Sequence, residues 1–198
     1  MDRDQIVSLA LSFDGLHAPS PAYVELLMPR AIETDANRAA ARLSAPVRLQ
    51  SGAVLRPWSS CGLFARAVWR SAGCTHPILA APYRIGRAVS DVIEIARDAG
   101  AWHEPDEPLE PGPGDVVIVG DPGHEHVLVL TSVTPRFGEG SADVESIDGG
   151  QGAYGCAIAR RTRFWPAWAS AWRDINDLGI DRPVRGWADS MRVCGASG

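Results

Sequence analysis

The hydrophobic pattern changes character at one point in this chain, and that change limits its fold more than any other feature. Before the Pro/Gly/acid-rich stretch at 104–114, apolar residues recur at intervals of three and four, as on one face of a helix. After it, short β-branched or alternating segments are separated by turn residues, as in antiparallel strands. Helices followed by strands predict an α+β fold, in which N-terminal helices pack on a central antiparallel β-sheet.

Helices are predicted before this connector and strands after it. The helices cover 3–13, 21–43, 61–72 and 87–100, and the strands cover 115–120, 126–134, 143–149 and 156–165. A further helix over 166–178 and a closing segment over 182–193 complete the pattern. The strand that begins at His126 alternates Val and Leu, so both of its faces are apolar and it should be central and covered on both sides.

Length and charge restrict the class of protein. With 198 residues the chain suits one domain, predicted to span 1–198, and its net charge of −5 does not indicate a nucleic-acid or anionic-membrane partner. The charged N-terminus lacks the pattern of a Sec signal peptide, and no apolar run approaches the ~20 residues needed for membrane insertion. We therefore expect a soluble protein that is cytoplasmic or exported by a non-Sec route. Trp residues at 165, 168, 172 and 187 belong to the core or to an interface.

The four cysteines, at 61, 74, 156 and 194, show no paired spacing of the zinc-site type. Cys61 and Cys74 bracket one predicted helix, whose rise of ~1.5 Å per residue separates them beyond the reach of a disulfide. We interpret the cysteines as independent thiols.

Cys61 stands at the predicted start of a helix, in "PWSSCGLFARAVWRSAG". Ser60 is a suitable N-cap, and a thiol at the first helical position lies near unpaired backbone N–H groups, which favour the nucleophilic thiolate. Arg66 and Arg70 are predicted to face outward from this helix. The alternative is that Cys61 is a small buried apolar residue.

Candidate partners for this thiol occur in the strand half. His126 opens a central strand, His124 lies in the turn before it, and the next strand ends in "IDGGQ" with Asp148 and Gln151. In an antiparallel pair, the end of one strand lies beside the start of its neighbour, so a side chain there can reach His126. A helix-start Cys, a strand-start His and a polar orienting residue form the set that nucleophilic catalysis requires.

The blocks "SSCGLFARAVWRSAG", "PGPGDVVIVG", "HEHVLVLTSV" and "ESIDGGQGAYGCAIARRTR" resemble those of the papain-like cysteine amidases and peptidases of the NlpC and CHAP groups, over about 57–163. The resemblance implies that Cys61 is the nucleophile, His126 the base and Asp148 the orienting residue. CHAP members usually carry Asn where this chain has Gly150, so Gln151 is an alternative orienting residue. The helical N-terminal extension and the Trp-rich C-terminal tail lie outside the resemblance.

The same resemblance implies hydrolysis of an amide bond in peptidoglycan or another peptide, without a cofactor, by a cell-wall hydrolase, a lysin or a secreted amidase toxin. The oxyanion would be held by the backbone N–H of Cys61 and by a second donor, for which Ser59 is the candidate. An immunity or carrier partner is left open.

Two other interpretations remain open at this stage. His124 and His126, together with Asp121 or Asp148, could ligate zinc in a metal-dependent hydrolase. The fold could also serve as a non-catalytic binding module, with the Trp-rich tail as its adhesive surface.

Overall fold

The first three helices of this protein begin where a short polar side chain bonds an exposed backbone N–H group. The computed structural model describes residues 2–107, 109–136, 141–165, 174–177 and 180–195. Its helices are α1 (Arg3–Leu11), α2 (Pro21–Leu27), α3 (Asp35–Ala41), α4 (Cys61–Ser71), α5 (Ala88–Asp98) and α6 (Ser190–Gly195), with a 3₁₀ turn at Pro77–Ala80. Asp2, Ser20 and Thr34 each accept a hydrogen bond from the backbone N–H three residues later, which is the N-cap interaction. Within the described ranges, no helix is both long enough and apolar enough to cross a bilayer.

The single helix predicted over 21–43 is wrong, because the structure has two short helices there, α2 and α3. Pro29 has no backbone N–H and its ring disfavours the helical conformation of the preceding turn, so α2 ends before it. Thr34 then caps a new helix. Apolar residues have helical spacing both before and after Pro29, so the proline is the one sequence signal that the helix is interrupted.

The strands form an antiparallel sheet that closes on itself. They are β1 (Val47–Arg48), β2 (Val54–Leu55), β3 (Trp102–His103), β4 (Val116–Val119), β5 (His126–Arg136), β6 (Ser141–Gln151), β7 (Ala157–Trp165), β8 (Asp174–Asp177) and β9 (Ile180–Ala188). β1 and β2 form a separate small hairpin, while the larger sheet has the order β3-β9-β4-β5-β6-β7-β8. Because β8 also pairs with β9, strands β4 to β9 form a ring. The coarse prediction of an α+β fold with helices on an antiparallel sheet is confirmed.

Strand β5 is buried on both faces, as predicted. Val127 and Val129 belong to the main core under the helices, whereas Leu128 and Leu130 belong to a second cluster on the other face of the sheet. That second cluster also contains Trp165 and Trp187, so these two tryptophans are core residues. Trp168 and Trp172 lie outside the described residues. β5 therefore holds His126 at the start of a strand that packing fixes on both sides.

The tail does not follow the predicted helix over 166–178 in its described part. Residues 174–177 form β8, which pairs with β7 and β9, while 166–173 and 178 lie outside the described residues. Partner strands on both sides satisfy backbone groups that a helix would satisfy internally, so tertiary pairing overrides the local pattern here. The predicted closing segment contributes to β9 and α6.

Helix α4 is buried on nearly all of its surface, and the prediction that Arg66 faces outward is wrong. Arg66 is 3% exposed, and its guanidinium pairs with buried Asp91 and donates to the carbonyls of Ile78 and Ala81. The helix is enclosed by α1, α2, α5, α6 and strands β5 and β6, so no face of it is left for solvent. Arg70 is half-buried and donates to the carbonyl of Leu26. The spacing of apolar residues identified this helix, but it does not show how many other helices and strands pack against it.

The interpretation of the cysteines as independent thiols is wrong for one pair. Cys74, just after α4, forms a disulfide with Cys194 in α6, across a sequence separation of 120 residues. Cys61 and Cys156 are free, and Cys61 is not joined to Cys74. The pairing follows from the packing of α6 against the end of α4, which no local pattern reports.

Candidate active site

Cys61 is the first residue of α4, as predicted, but Ser60 does not cap the helix with its side chain. The Ser60 hydroxyl accepts a hydrogen bond of 2.6 Å from the backbone N–H of Gly150 and donates one of 3.3 Å to the carbonyl of Gly155. The chain between β6 and β7 passes directly over the start of α4, so it takes the hydroxyl that would otherwise cap the helix. Ser60 therefore fastens the thiol-bearing helix to the sheet.

Two glycines at the end of β6 make this close approach possible. A Cβ atom on Gly149 would lie 2.4 Å from the Ser60 carbonyl oxygen and 2.7 Å from Cβ of Phe64. Gly150 has a φ of +76°, and a Cβ there would lie 3.3 Å from the backbone nitrogen of Cys61. A side chain at position 150 would fill the space beside the thiol, and glycine adopts this positive φ without strain.

Replacing Gly149 with Ala is expected to lower the free energy of unfolding by about 2 kcal/mol or more, because the collision is with backbone and cannot be relieved by a side-chain rotation. Urea denaturation followed by circular dichroism measures the change. Gly195→Ala is the matched control, since a Cβ at Gly195 meets nothing within 4 Å. Equal stability of the two variants would contradict the proposed close approach of β6 to α4.

His126, the first residue of β5, is brought to both Cys61 and Asp148. Its Nε2 atom lies 3.0 Å from Oδ2 of Asp148, and its ring is close enough to Cys61 to lower the pKa of the thiol. Since Nε2 faces the carboxylate, Nδ1 is left for the sulfur. The structure therefore brings together the three residues that the sequence singled out, one from a helix start, one from a strand start and one from a strand end.

Asp148 is completely buried and is held by two groups that the sequence analysis missed. Its Oδ1 accepts from the Ser146 hydroxyl at 2.7 Å, and its Oδ2 is paired with Nη2 of Arg163 at 2.5 Å. Arg163 also donates to Ser146. A signal for these contacts was present: Ser146 and Asp148, like Arg161 and Arg163, are two apart in neighbouring predicted strands and so share a sheet face.

Gln151 lies beside His126 but does not turn its amide oxygen towards the imidazole N–H. Nε of Arg161 donates to Oε1 of Gln151 at 2.6 Å, which turns the amide nitrogen towards His126 Nε2, 3.2 Å away. The amide nitrogen also lies 3.5 Å from Oδ2 of Asp148 and 3.4 Å from the Gly149 carbonyl, which are acceptors. Two donors cannot bond each other, so Asp148 is the acceptor for the imidazole and Gln151 supports the carboxylate.

The electrostatics of the site favour a charged thiol and a charged imidazole. Burial by itself would raise the pKa of the Cys61 thiol, but the hydrogen bond and charge of His126, helped by the Ser59 hydroxyl 3.6 Å away, lower that pKa below its ordinary value. Burial by itself would lower the pKa of His126, but hydrogen bonds to Asp148 and Cys61 raise it to about 9. Burial opposes the charge of Asp148, yet its bond to His126 and the nearby Arg163 guanidinium keep its pKa low.

A cleft of about 610 Å³ opens onto the Cys61 thiol. Its walls come from the loop before α4 (57–59), the chain leading into α5 (83–86), the first turns of α5, and the turn before β5. Gly62 permits α5 to pack close to the thiol, since a Cβ there would lie 2.6 Å from the backbone of Ala88. The cleft gives a substrate access to Cys61, a residue that is only 6% exposed.

His124, the other ligand in the zinc interpretation, is an exposed residue of the turn that precedes β5. Asp121 is exposed in the same turn, and its carbonyl accepts from the backbone N–H of His124. In the part of the chain that the structure describes, no three His, Cys, Asp or Glu side chains are grouped as a metal site would require.

Comparison of the chain with models of protein families, with curated proteins and with solved structures finds no match. What the site does must therefore be argued from the chemistry of its own residues.

Proposed function

We propose that this protein is a cysteine-dependent hydrolase of amide bonds in peptides, with Cys61 as nucleophile, His126 as general acid and base, and Asp148 as the residue that orients His126. The observation that carries the proposal is the placement of His126 between the Cys61 thiol, whose pKa it lowers, and buried Asp148, which it hydrogen-bonds, at the end of an open cleft. A buried free thiol of purely structural use needs neither a charged imidazole nor a cleft.

The first half of the reaction forms a thioester. The Cys61 thiolate attacks the amide carbonyl carbon, and the carbonyl electron pair moves to oxygen. When the tetrahedral intermediate collapses, the C–N bond breaks and the imidazolium of His126 gives its proton to the leaving amine. Asp148 keeps Nδ1 of the ring directed at the reacting atoms by accepting the hydrogen bond of Nε2–H.

The negative oxygen of that intermediate needs donors near the sulfur. The backbone N–H of Cys61 lies at the first turn of α4, where helix geometry provides no acceptor for it. The Ser59 hydroxyl is exposed and lies 3.6 Å from the sulfur, so it can move from the thiolate to the oxyanion. One such donor contributes about 3 kcal/mol to the transition state.

In the second half, neutral His126 takes a proton from water, and the hydroxide attacks the thioester carbonyl. The C–S bond breaks, the acid product leaves and the thiolate–imidazolium pair is restored. An amine in place of water would give acyl transfer by the same steps.

Peptidoglycan peptides are the proposed natural substrates, on the strength of the resemblance to the NlpC and CHAP groups. Incubation with purified peptidoglycan, followed by mass spectrometry of the soluble products, tests this proposal. Released peptides would support it, and the masses would identify the amide that is cut. If the protein hydrolyses simple peptides but releases no peptides from peptidoglycan, the proposed cysteine mechanism stands and peptidoglycan is rejected as the substrate.

The pH dependence of kcat/KM is expected to be bell-shaped, with an alkaline limb near pH 9. Because the pKa of His126 is raised to about 9, the ring carries its proton below that pH and loses it above. Hydrolysis then falls, since the leaving amine is no longer protonated. Alkylation of Cys61 by iodoacetamide should not fall over the same range, because the thiolate persists.

Asp148→Asn provides the control for this assignment. The substitution removes a group that raises the pKa of His126, so the alkaline limb should move to lower pH. An alkaline limb that stays in place in this variant would show that another group titrates there.

A further inference from the structure

The walls of the cleft beside Cys61 are mainly apolar and aromatic. Trp58 and Tyr83 contact each other there, with ring centroids 5.0 Å apart and planes tilted by 58°. Val89 and Ile93 of α5 continue the apolar surface, and Ile85 at the rim is 76% exposed. A surface of this kind favours an apolar group, or a cation that lies over an aromatic ring.

Apart from the Cys61 thiolate, the charge on the lining of the cleft is that of one carboxylate. Among the described residues that line it, Glu125 is the only acid, and none is Arg, Lys or His. Its Oε2 accepts from the backbone N–H of Gly123 at 2.8 Å, which holds the carboxylate in place. No ion pair joins Glu125 to a basic side chain within the described ranges.

Two of the arginines that flank residues of the cleft wall are occupied elsewhere. Arg84 and Arg87 flank the lining residues Ile85 and Gly86, yet both guanidiniums pair with Asp91, which is 1% exposed. Arg87 also pairs with Glu94. These ion pairs hold this part of the wall to α5, and both guanidiniums already have carboxylate partners there rather than Glu125.

We propose, resting on the proposed amide hydrolysis, that the cleft selects peptides carrying an apolar residue and a protonated amine, with Glu125 as the partner of the amine. A substrate carboxylate in the same place meets the negative charge of Glu125 and no cation. Glu125 is thus a specificity residue that rejects acidic segments as well as binding basic ones.

The test measures binding to the Cys61→Ala protein, so that it does not depend on turnover. Acetylated peptides of equal length contain one Phe and, at a neighbouring position, Lys, Gln or Glu. We expect the Lys peptide to bind about tenfold more tightly than the Glu peptide, as a partly desolvated charge pair gives. In the Cys61→Ala/Glu125→Lys protein the order should reverse, while the Gln peptide changes by less than about threefold.

Cys61→Ala/Glu110→Lys is the matched control, because Glu110 is exposed, lies outside the cleft lining and undergoes the same change of charge. It should keep the preference for Lys. Equal binding of the Lys and Glu peptides, or a preference that Glu125→Lys leaves unchanged, would overturn the proposal. Hydrolysis of the Gln peptide by the unmodified protein tests the catalytic proposal separately.

The amine could come from a side chain or from a free N-terminus. A further arm compares the acetylated Lys peptide with a Gln peptide whose N-terminus is free. Tighter binding of the first assigns the Glu125 position to a side-chain amine, and tighter binding of the second to a terminal amine. Binding of neither above the acetylated Gln peptide would overturn the role of Glu125.

Discussion

Replacing Cys61 with Ala is expected to reduce kcat/KM for peptide amide hydrolysis by roughly 10⁴-fold or more, while the protein keeps its fold. The substitution removes the sulfur that forms the thioester, and no other free thiol of the described residues faces the cleft. Only the sulfur atom is lost, so the hydrophobic core around Cys61, which includes Phe64, should stay packed. Rates of peptide hydrolysis and thermal unfolding of the same preparation measure both effects.

Cys156→Ala is the matched control for this loss, because Cys156 is the other free cysteine and is absent from the lining of the cleft. It should retain full activity. Iodoacetamide should inactivate the unmodified protein, whereas a metal chelator should not. Activity that survives in Cys61→Ala, or that a chelator removes, would reject the thiol mechanism and favour the zinc interpretation with His124 and His126.

Arg163→Met is expected to lower the free energy of unfolding by about 3–5 kcal/mol. Asp148 is 0% exposed and Arg163 is 3% exposed, so the substitution leaves a buried carboxylate without its guanidinium partner. The bonds from the Ser146 hydroxyl and the His126 imidazolium remain, so the buried carboxylate keeps one cationic partner in place of two. Urea denaturation at pH 7 measures the loss.

A second substitution distinguishes loss of a charge partner from loss of packing. Arg163→Met/Asp148→Asn removes both charges, so it should be more stable than Arg163→Met alone, although it should remain inactive or nearly so. Arg160→Met, on the same strand, removes an exposed guanidinium paired with Asp14 and should cost less than about 1 kcal/mol. If Arg163→Met is no less stable than Arg160→Met, the buried pair does not support Asp148.

The contrast between Arg66 and His126 shows how far sequence patterns reach. A three- to four-residue period of apolar residues identified α4, and alternating Val and Leu identified β5 as a buried strand. Both patterns reflect which faces of a single element are apolar. The same period placed Arg66 on an outer face that does not exist, since α5 and the 3₁₀ turn cover it. How many neighbours an element has is a property of the assembled fold.

The orienting role shows the same limit inside the site. Local reasoning left Asp148 and Gln151 as alternatives, because both follow the strand end within reach of His126. Two arginines of the neighbouring strand give Asp148 and Gln151 different environments. Arg161 donates to Oε1 of Gln151, whereas Arg163 forms an ion pair with Asp148.

By itself the sequence determined the α+β order, the helix start that carries Cys61 and the buried strand that carries His126, because spacing and turn residues act over a few positions. The tertiary structure alone decided which cysteines join, which strand closes the ring, and which side chain accepts the hydrogen bond from Nε2 of His126. These contacts join groups that are distant along the chain and that meet only when the helices pack on the sheet. Short stretches of sequence therefore carry no pattern that predicts them.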